Sequence, residues 1–102
     1  MGFASYVAPA TRVLTADNGK RFEVEREGVL PQDLKAGDEV FYSFNRLGYA
    51  TILAVGRTFL KPHPCGDVEL TRIIAFWNPD CGASEWRVSQ SKFLRIVREV
   101  SP

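Results

Sequence analysis

The residues best suited to chemistry lie in two short proline-containing turns, PHPCG and NPDCG. Together these turns hold the single histidine, His63, and both cysteines, Cys65 and Cys81. Thiolate and imidazole groups are zinc ligands, and Asp67 or Asp80 would bring the set to the four that a tetrahedral site needs. The same groups would also suit a disulfide or a cysteine–histidine catalytic pair.

The spacing of these residues argues against all three kinds of chemistry. No Cys-x-x-Cys or His-x-x-x-His pair supplies the short clamp of most structural zinc sites. Residues 68–77 have the pattern of one extended strand, which would span roughly 33 Å at ~3.3 Å per residue and place Cys65 and Cys81 at opposite ends of the domain. Glycine-rich phosphate-binding motifs are also missing. We therefore predict two turns flanking a strand, with no metal, no cofactor and no enzymatic activity.

Size and composition predict one domain over residues 1–102. A chain of this length buries enough surface to fold without a disulfide or a metal. Its net charge of +1 gives no general attraction to nucleic acid or membranes. No apolar run reaches the ~18 to 20 residues of a membrane span. Without a signal-peptide pattern at the N-terminus, we expect a cytoplasmic protein with reduced thiols and no membrane partner.

Turn signals at intervals of roughly 8 to 12 residues separate short strand-like segments. Residues 11–16 and 21–26 flank an Asn-Gly pair and predict a hairpin, with Phe22 and Val24 on its apolar face. A single helical turn is expected after Pro31. Residues 39–44 then alternate as a strand: Val40, Tyr42 and Phe44 share one face, and Phe41 takes the other.

The next two strands raise a question about their length and regularity. Residues 49–55 (YATILAV) are nearly all apolar, which predicts a strand covered on both sides and ended by Gly56 and Arg57. In the strand over residues 68–77, strict alternation puts Arg72 into an apolar row. A bulge at residues 71 and 72 would remove it from that row, and the sequence leaves both arrangements open.

The last segment fits two kinds of structure. Its apolar residues follow helical spacing, while their β-branched and aromatic character favours a strand. These residues are Phe93, Leu94, Ile96, Val97 and Val100. The spacing leads us to expect a short C-terminal helix.

Five or six short antiparallel strands predict a mainly β fold, a small barrel or sandwich, and of these we expect the barrel. The segments RVLTADNGKRFEVE, LKAGDEVFYSF and YATILAV, within residues 12–55, resemble small OB-fold and SH3-like barrels, cold-shock domains and small translation initiation factors in particular. Those families share the hairpin, the Leu-x-x-Gly-Asp-x-Val start of a strand and the closing strand. The resemblance implies a barrel and adds to the case for nucleic-acid binding, with Phe22 at the position of the second aromatic motif.

Two binding functions remain. Basic and aromatic side chains of the second half suit RNA or single-stranded DNA, since each stacked base contributes ~1 to 3 kcal/mol. These side chains are Arg57, Lys61, Trp77, Trp86, Arg87, Lys92, Arg95 and Arg98. On a helical tail, Lys92, Arg95 and Arg98 would form one basic stripe. Trp77 and Trp86 also suit a purely structural role, as hairpin partners in the core.

The second function is a protein-interaction module, which we favour. An exposed aromatic patch would bind a protein partner or a second copy of the chain. Its candidate members are Phe41, Tyr42, Phe44, Tyr49, Phe59 and Trp77. Nucleic-acid binding is the alternative.

Overall fold

The computed structural model describes residues 9–62, 66 and 68–101, apart from the side chains of residues 61 and 68–70. These residues are mainly β, as predicted, with seven strands and one 3₁₀ turn, Pro31–Asp33. In chain order the strands are β1 (Thr11–Thr15), β2 (Arg21–Glu25), β3 (Glu39–Tyr42), β4 (Gly48–Pro62), β5 (Val68–Asn78), β6 (Gly82–Val88) and β7 (Leu94–Val100). They form one antiparallel sheet in the order β1-β2-β7-β3-β4-β5-β6.

The predicted hairpin is confirmed. β1 and β2 pair antiparallel, with Thr11 opposite Glu25 and Thr15 opposite Arg21. Gly19 has a φ of +91°, which an L side chain would strain, so the Asn-Gly pair serves the turn. Phe22 and Val24 are buried, as the alternation of β2 predicts.

The predicted closed barrel is wrong. The sheet is open, and β1 and β6 are its two edges within the described part of the chain. Strand pairing does not close it, because β4, β5 and β6 continue the sheet beyond β3. The β1–β2 turn is joined to the β3–β4 turn by hydrogen bonds rather than by strand pairing. There the Asp17 N–H donates to the Leu47 carbonyl at 2.9 Å, and the Leu47 N–H donates to Asp17 Oδ2 at 3.1 Å.

Apolar residues cover both faces of the sheet. We call the side bearing Val40 the first face and the side bearing Phe41 the second face, since adjacent strand residues point in opposite directions. The first-face cluster consists of Val29, Leu34, Val40, Tyr42, Ala50, Ile52, Ile74, Phe76, Val88 and Phe93. The second-face cluster consists of Ala16, Phe22, Val24 and Phe41, with Leu14, Tyr49, Leu94 and Ile96 packed against it.

Ring contacts show that the sheet curls. Phe22 on β2 and Tyr49 on β4 lie with ring centroids 4.5 Å apart, although two strands separate them in the sheet. In a flat sheet, backbones three strand spacings apart would be about 14 Å from each other. Trp86 on β6 meets Tyr42 on β3 in the same way, at 4.9 Å. The sheet therefore curls over its second face near β2 and over its first face near β6.

The predicted end of β4 at Gly56 and Arg57 is wrong. The strand continues to Pro62. Its pairing with β5 shifts once between Ile52 and Ala54 and again between Val55 and Thr58. Each shift inserts one extra β4 residue, so the strand bulges without breaking. The open question at Arg72 is thereby answered, because β5 keeps its alternation and the bulge lies on β4. The Arg72 guanidinium donates across to the Gly56 carbonyl at 2.8 Å.

The predicted C-terminal helix is wrong as well, because residues 94–100 form β7 between β2 and β3. Ile96 lies opposite Val24 and Arg98 opposite Glu23, so Val97 is an extra, bulged residue. The bulge interrupts the period of two, which explains why the spacing resembles that of a helix. Within the described residues, no helix is long and apolar enough to cross a membrane.

Candidate interaction groove

The tail arginines of the predicted basic stripe are held by acidic and carbonyl groups. The bulge at Val97 places both Arg95 and Arg98 on the first face. Arg95 Nη2 donates to the Asp33 carbonyl at 3.0 Å and lies 3.6 Å from Asp38 Oδ2. Part of the positive charge expected to face a phosphate backbone is therefore neutralised within the protein.

Glu23 neutralises Arg98 in the same manner. Arg98 Nε donates to Glu23 Oε1 at 2.7 Å, and the Thr11 hydroxyl donates to Glu23 Oε2 at 2.8 Å. The hydrogen bond from Thr11, followed by that from Arg98, lowers the pKa of Glu23 from its ordinary value of 4.5. The three side chains thus form a charged link across β1, β2 and β7.

The other predicted basic residues are dispersed. Arg57 belongs to the second bulge of β4 and Arg87 to β6, and both are exposed on strands that flank β5. Lys92 precedes β7, and its stem covers Gly28, where an added Cβ would come within 2.8 Å of Lys92 Cδ. Lys61 lies at the end of β4, and its side chain is outside the described residues.

The two predicted tryptophans have different environments. Trp86 stacks on Phe76 with ring centroids 3.7 Å apart and meets Phe44 edge-on at 5.3 Å. It is half-buried against the first-face cluster. Trp77 lies on the second face, opposite Ala83 and Thr51, and 48% of its surface is exposed. Of the two, Trp77 therefore offers more of its ring to a partner.

The NPDCG turn is built around a buried amide. Asn78 Oδ1 accepts the backbone N–H groups of Asp80 and Cys81 at 3.1 and 2.9 Å, and the Cys81 thiol at 3.1 Å. Asn78 Nδ2 donates to the Tyr42 hydroxyl at 3.4 Å. The predicted turn is confirmed, and its polar groups are occupied in holding β5 to β6 and β3.

The metal and redox hypotheses involve residues at both ends of β5. Cys81 is a free, exposed thiol. His63, Cys65 and Asp67 lie outside the described residues. In the parts of the chain that the structure describes, no group of three His, Cys, Asp or Glu side chains could hold a metal ion.

A groove on the second face surrounds Trp77. Glu39 on β3 lies opposite Thr51 on β4, and Thr51 lies opposite Trp77 on β5. The three side chains therefore form a row across the strands, with a small residue in the middle. The groove has a volume of about 260 Å³ and is lined by Phe22, Glu39, Tyr49, Ala50, Thr51, Trp77, Pro79, Ile96 and Glu99. We call it the Trp77 groove.

The Tyr49 ring that lines this groove is fixed by two contacts, one apolar and one polar. Phe22 is buried and packs at 4.5 Å against Tyr49, whose hydroxyl accepts Asn18 Nδ2 at 3.0 Å. The β1–β2 turn thus fixes a ring on β4. Glu99 lies opposite Phe22 and Glu39 lies at the start of β3, which gives the groove two carboxylates.

Sequence patterns single out Trp77 and Tyr49 but miss the carboxylates. Glu39 and Glu99 have the spacing of ordinary solvated strand residues, and nothing local distinguishes them. They line one groove because β3 and β7 are sheet neighbours and because the sheet curls over its second face. No protein-family model, curated protein or solved structure matches the chain.

Proposed function

We propose that the chain is a non-enzymatic binding module that acts through protein–protein contacts, with the Trp77 groove as its docking site. The observation that carries the proposal is the half-exposed indole of Trp77 at a preformed groove. Tryptophan is enriched at binding hot spots because it offers a large rigid surface together with a polar N–H group. The arginines Arg95 and Arg98 are engaged in internal pairs, which favours a protein partner over nucleic acid.

Substitution of Trp77 tests this proposal. Trp77→Ser should weaken the binding of a partner by a factor of at least about 30, the usual effect of truncating a hot spot. Partners captured with the wild-type protein are purified and titrated against both forms by calorimetry. Leu60→Ser is the matched control, since Leu60 is 62% exposed on β4 and lies outside the groove. Equal affinity of wild type and Trp77→Ser for every partner would disprove docking at this site.

Self-association is a second form that this interaction takes in our proposal. Among the described strands, β6 lies at an edge of the sheet, and edge strands pair readily with further strands. Glu85 and Arg87 are exposed on its second face. An antiparallel pair of β6 strands centred on Trp86 would put Glu85 of each copy opposite Arg87 of the other. This charge complementarity gives a symmetric dimer a defined register.

Binding to RNA or single-stranded DNA is the alternative function. Arg57 and Arg87, both exposed on strands beside β5, are the residues that favour it. Titration with oligonucleotides, followed by tryptophan fluorescence at two salt concentrations, is the test. Saturable quenching that falls steeply with salt and is lost in Arg57→Glu/Arg87→Glu supports the alternative. A flat response at low salt excludes it.

A further inference from the structure

We propose that the Trp77 groove recognises a basic side chain, lysine or arginine, on the partner protein; this inference rests on the proposed function. The row of Glu39, Thr51 and Trp77 spans three adjacent strands. The outer two strands lie about 9.5 Å apart, and the short side chain of Thr51 leaves a slot between them. An alkyl stem lying over Thr51 would have the indole on one side and a carboxylate on the other.

The aromatic lining of the slot suits a cation. An ammonium or guanidinium group over an aromatic face is attracted by the negative ring quadrupole, and tryptophan gives the strongest attraction. Trp77 makes no ring–ring contact with another described aromatic residue, whereas Trp86 has four such partners. Phe22 and Tyr49 extend the aromatic surface beside it. A ring face of Trp77 is therefore accessible to a ligand.

The charges around the slot also favour a cationic ligand. Glu39 and Glu99 line the groove, and no described lysine or arginine side chain does. Glu99 has Lys20 at 3.9 Å, but both side chains are more than half exposed, and such pairs contribute little. Glu39 has no ion pair with any described residue. The groove thus presents two acidic groups with at most one weak counter-charge among the described residues, which favours a basic ligand over a neutral or acidic one.

The contrast with a neighbouring groove supports this assignment. Arg12 and Lys92 line a second groove of similar size, about 240 Å³, together with apolar residues such as Leu14 and Leu94. Both grooves include second-face residues and are largely apolar. Their rims differ in sign, so shape alone would not direct a basic side chain to the Trp77 groove, but charge would.

Small probes of matched size test the inference. The indole N–H resonance of Trp77 is assigned with Trp77→Phe and followed by NMR during titration with n-butylammonium, n-butylguanidinium and n-butanol. We expect the two cations to shift this resonance saturably in the millimolar range and n-butanol to leave it nearly unchanged. Glu39→Gln/Glu99→Gln should weaken cation binding about fivefold, the loss of two exposed ion pairs. Glu25→Gln, at an exposed position of β2 outside the groove, is the matched control.

A second variant keeps the test decisive if the double glutamine variant fails to fold. Thr51→Leu fills the slot while retaining Trp77 and both carboxylates, so it should abolish the cation response. Equal responses to n-butanol and the cations, or cation binding unchanged in Thr51→Leu, would overturn the inference. Docking of proteins through Trp77 would still stand in that case. Cation binding together with partners that ignore Trp77→Ser would show that the groove binds a basic group, but it would refute docking of partners at this groove and with it the proposed function.

Discussion

At the scale of single residues, Glu23 shows how a surface carboxylate comes to depend on pH. Thr11 and Arg98 both donate to it, so folding favours its ionised form and lowers its pKa. A group with a lowered pKa adds stability above its ordinary pKa, here 4.5, and this stability is lost as the pH falls through the folded-state value. The link between β1, β2 and β7 should therefore loosen in acid.

We expect Glu23→Gln to unfold at a lower urea concentration than the wild type at neutral pH. The difference should shrink as the pH falls below about 4.5, the ordinary pKa, and should vanish once the pH passes the lower pKa of folded Glu23, where the native carboxylate is itself protonated. Urea titrations at a series of pH values measure it. Glu25→Gln, exposed at the end of the same strand, is the control and should show a smaller difference. A difference for Glu23→Gln that is constant from neutral to acid would contradict the assignment.

Gly48 is required by the ring that lies across it. An added Cβ would come within 2.5 Å of the Tyr42 hydroxyl and 2.6 Å of its Cζ. The ring has little room to yield, because it stacks on Phe44 at 5.0 Å and its hydroxyl accepts Arg46 Nε at 3.3 Å. That hydrogen bond, together with the charge of the Asp80 carboxylate, raises the pKa of Arg46.

Gly48→Ala should destabilise the fold by about 1 to 3 kcal/mol, the usual cost of overpacking. Urea unfolding followed by tryptophan fluorescence gives the value, since Trp86 packs against Tyr42. An unchanged midpoint would mean that the Tyr42 ring moves aside freely. In that case the ring would not be what requires glycine at this position.

At the scale of elements, the β4–β5 pair shows why a bulge cannot be located from the sequence of one strand alone. Arg72 lies in the row of Ile74 and Phe76, with its guanidinium on the Gly56 carbonyl. The sequence shows an arginine in an apolar row, but only the pairing shows that the extra residue lies on the opposite strand. A pattern within one strand contains no information about the register of its neighbour.

Arg72→Met should cost about 1 to 2 kcal/mol, because the stem still packs while the Gly56 carbonyl loses a charged donor. Amide exchange in the second bulge of β4 should become faster. Arg12→Met is the matched control, a similar change at an exposed position of β1, and should alter stability by less than about 0.5 kcal/mol. Equal losses in both variants would argue against a role for the Gly56 contact.

The tail illustrates a second limit of sequence patterns. Leu94 and Ile96 point to the second-face cluster, and after the bulge at Val97 the alternation continues with Arg98 on the opposite side. A strand with one inserted residue has apolar positions that match helical spacing over a single turn. The β-branched content is the better indicator, while the β1–β2 hairpin is predictable because Asn-Gly and strict alternation are local signals.

At the scale of the whole molecule, the edge strand β6 leads to a prediction about association. If two copies pair antiparallel about Trp86, Glu85→Arg puts like charges opposite each other twice. We expect this variant to dissociate about tenfold more readily than the wild type, since each charged cross-strand pair contributes ~0.2 to 1 kcal/mol. Sedimentation equilibrium over a range of concentrations measures the dissociation constant.

Glu85→Arg/Arg87→Glu is the matched control, because it restores opposite charges in the same register. Its association should return close to that of the wild type. A wild-type protein that stays monomeric at every concentration would eliminate the dimer. A double variant as weak as the single one would eliminate this register.

The curl of the sheet is the feature that sequence patterns could not supply. Alternation along β3 correctly separates Phe41 from Val40 and Tyr42, yet it does not say that two curls in opposite directions bury both sets. Contacts between β2 and β4, and between β6 and β3, depend on this shape. The groove around Trp77 depends on it too, which is why local patterns do not reveal its carboxylates.

Because β3 contributes side chains to a core on each face of the sheet, its length in residues is fixed. Adding or removing one codon within β3 would shift the following residues to the opposite face of the sheet. Phe41 would then lie in the first-face cluster, at the position of Val40 or Tyr42. β4 already absorbs two extra residues as bulges, so a length change there disturbs fewer neighbours. Among natural variants of this chain, we therefore expect insertions and deletions to collect along β4 and to be absent from β3.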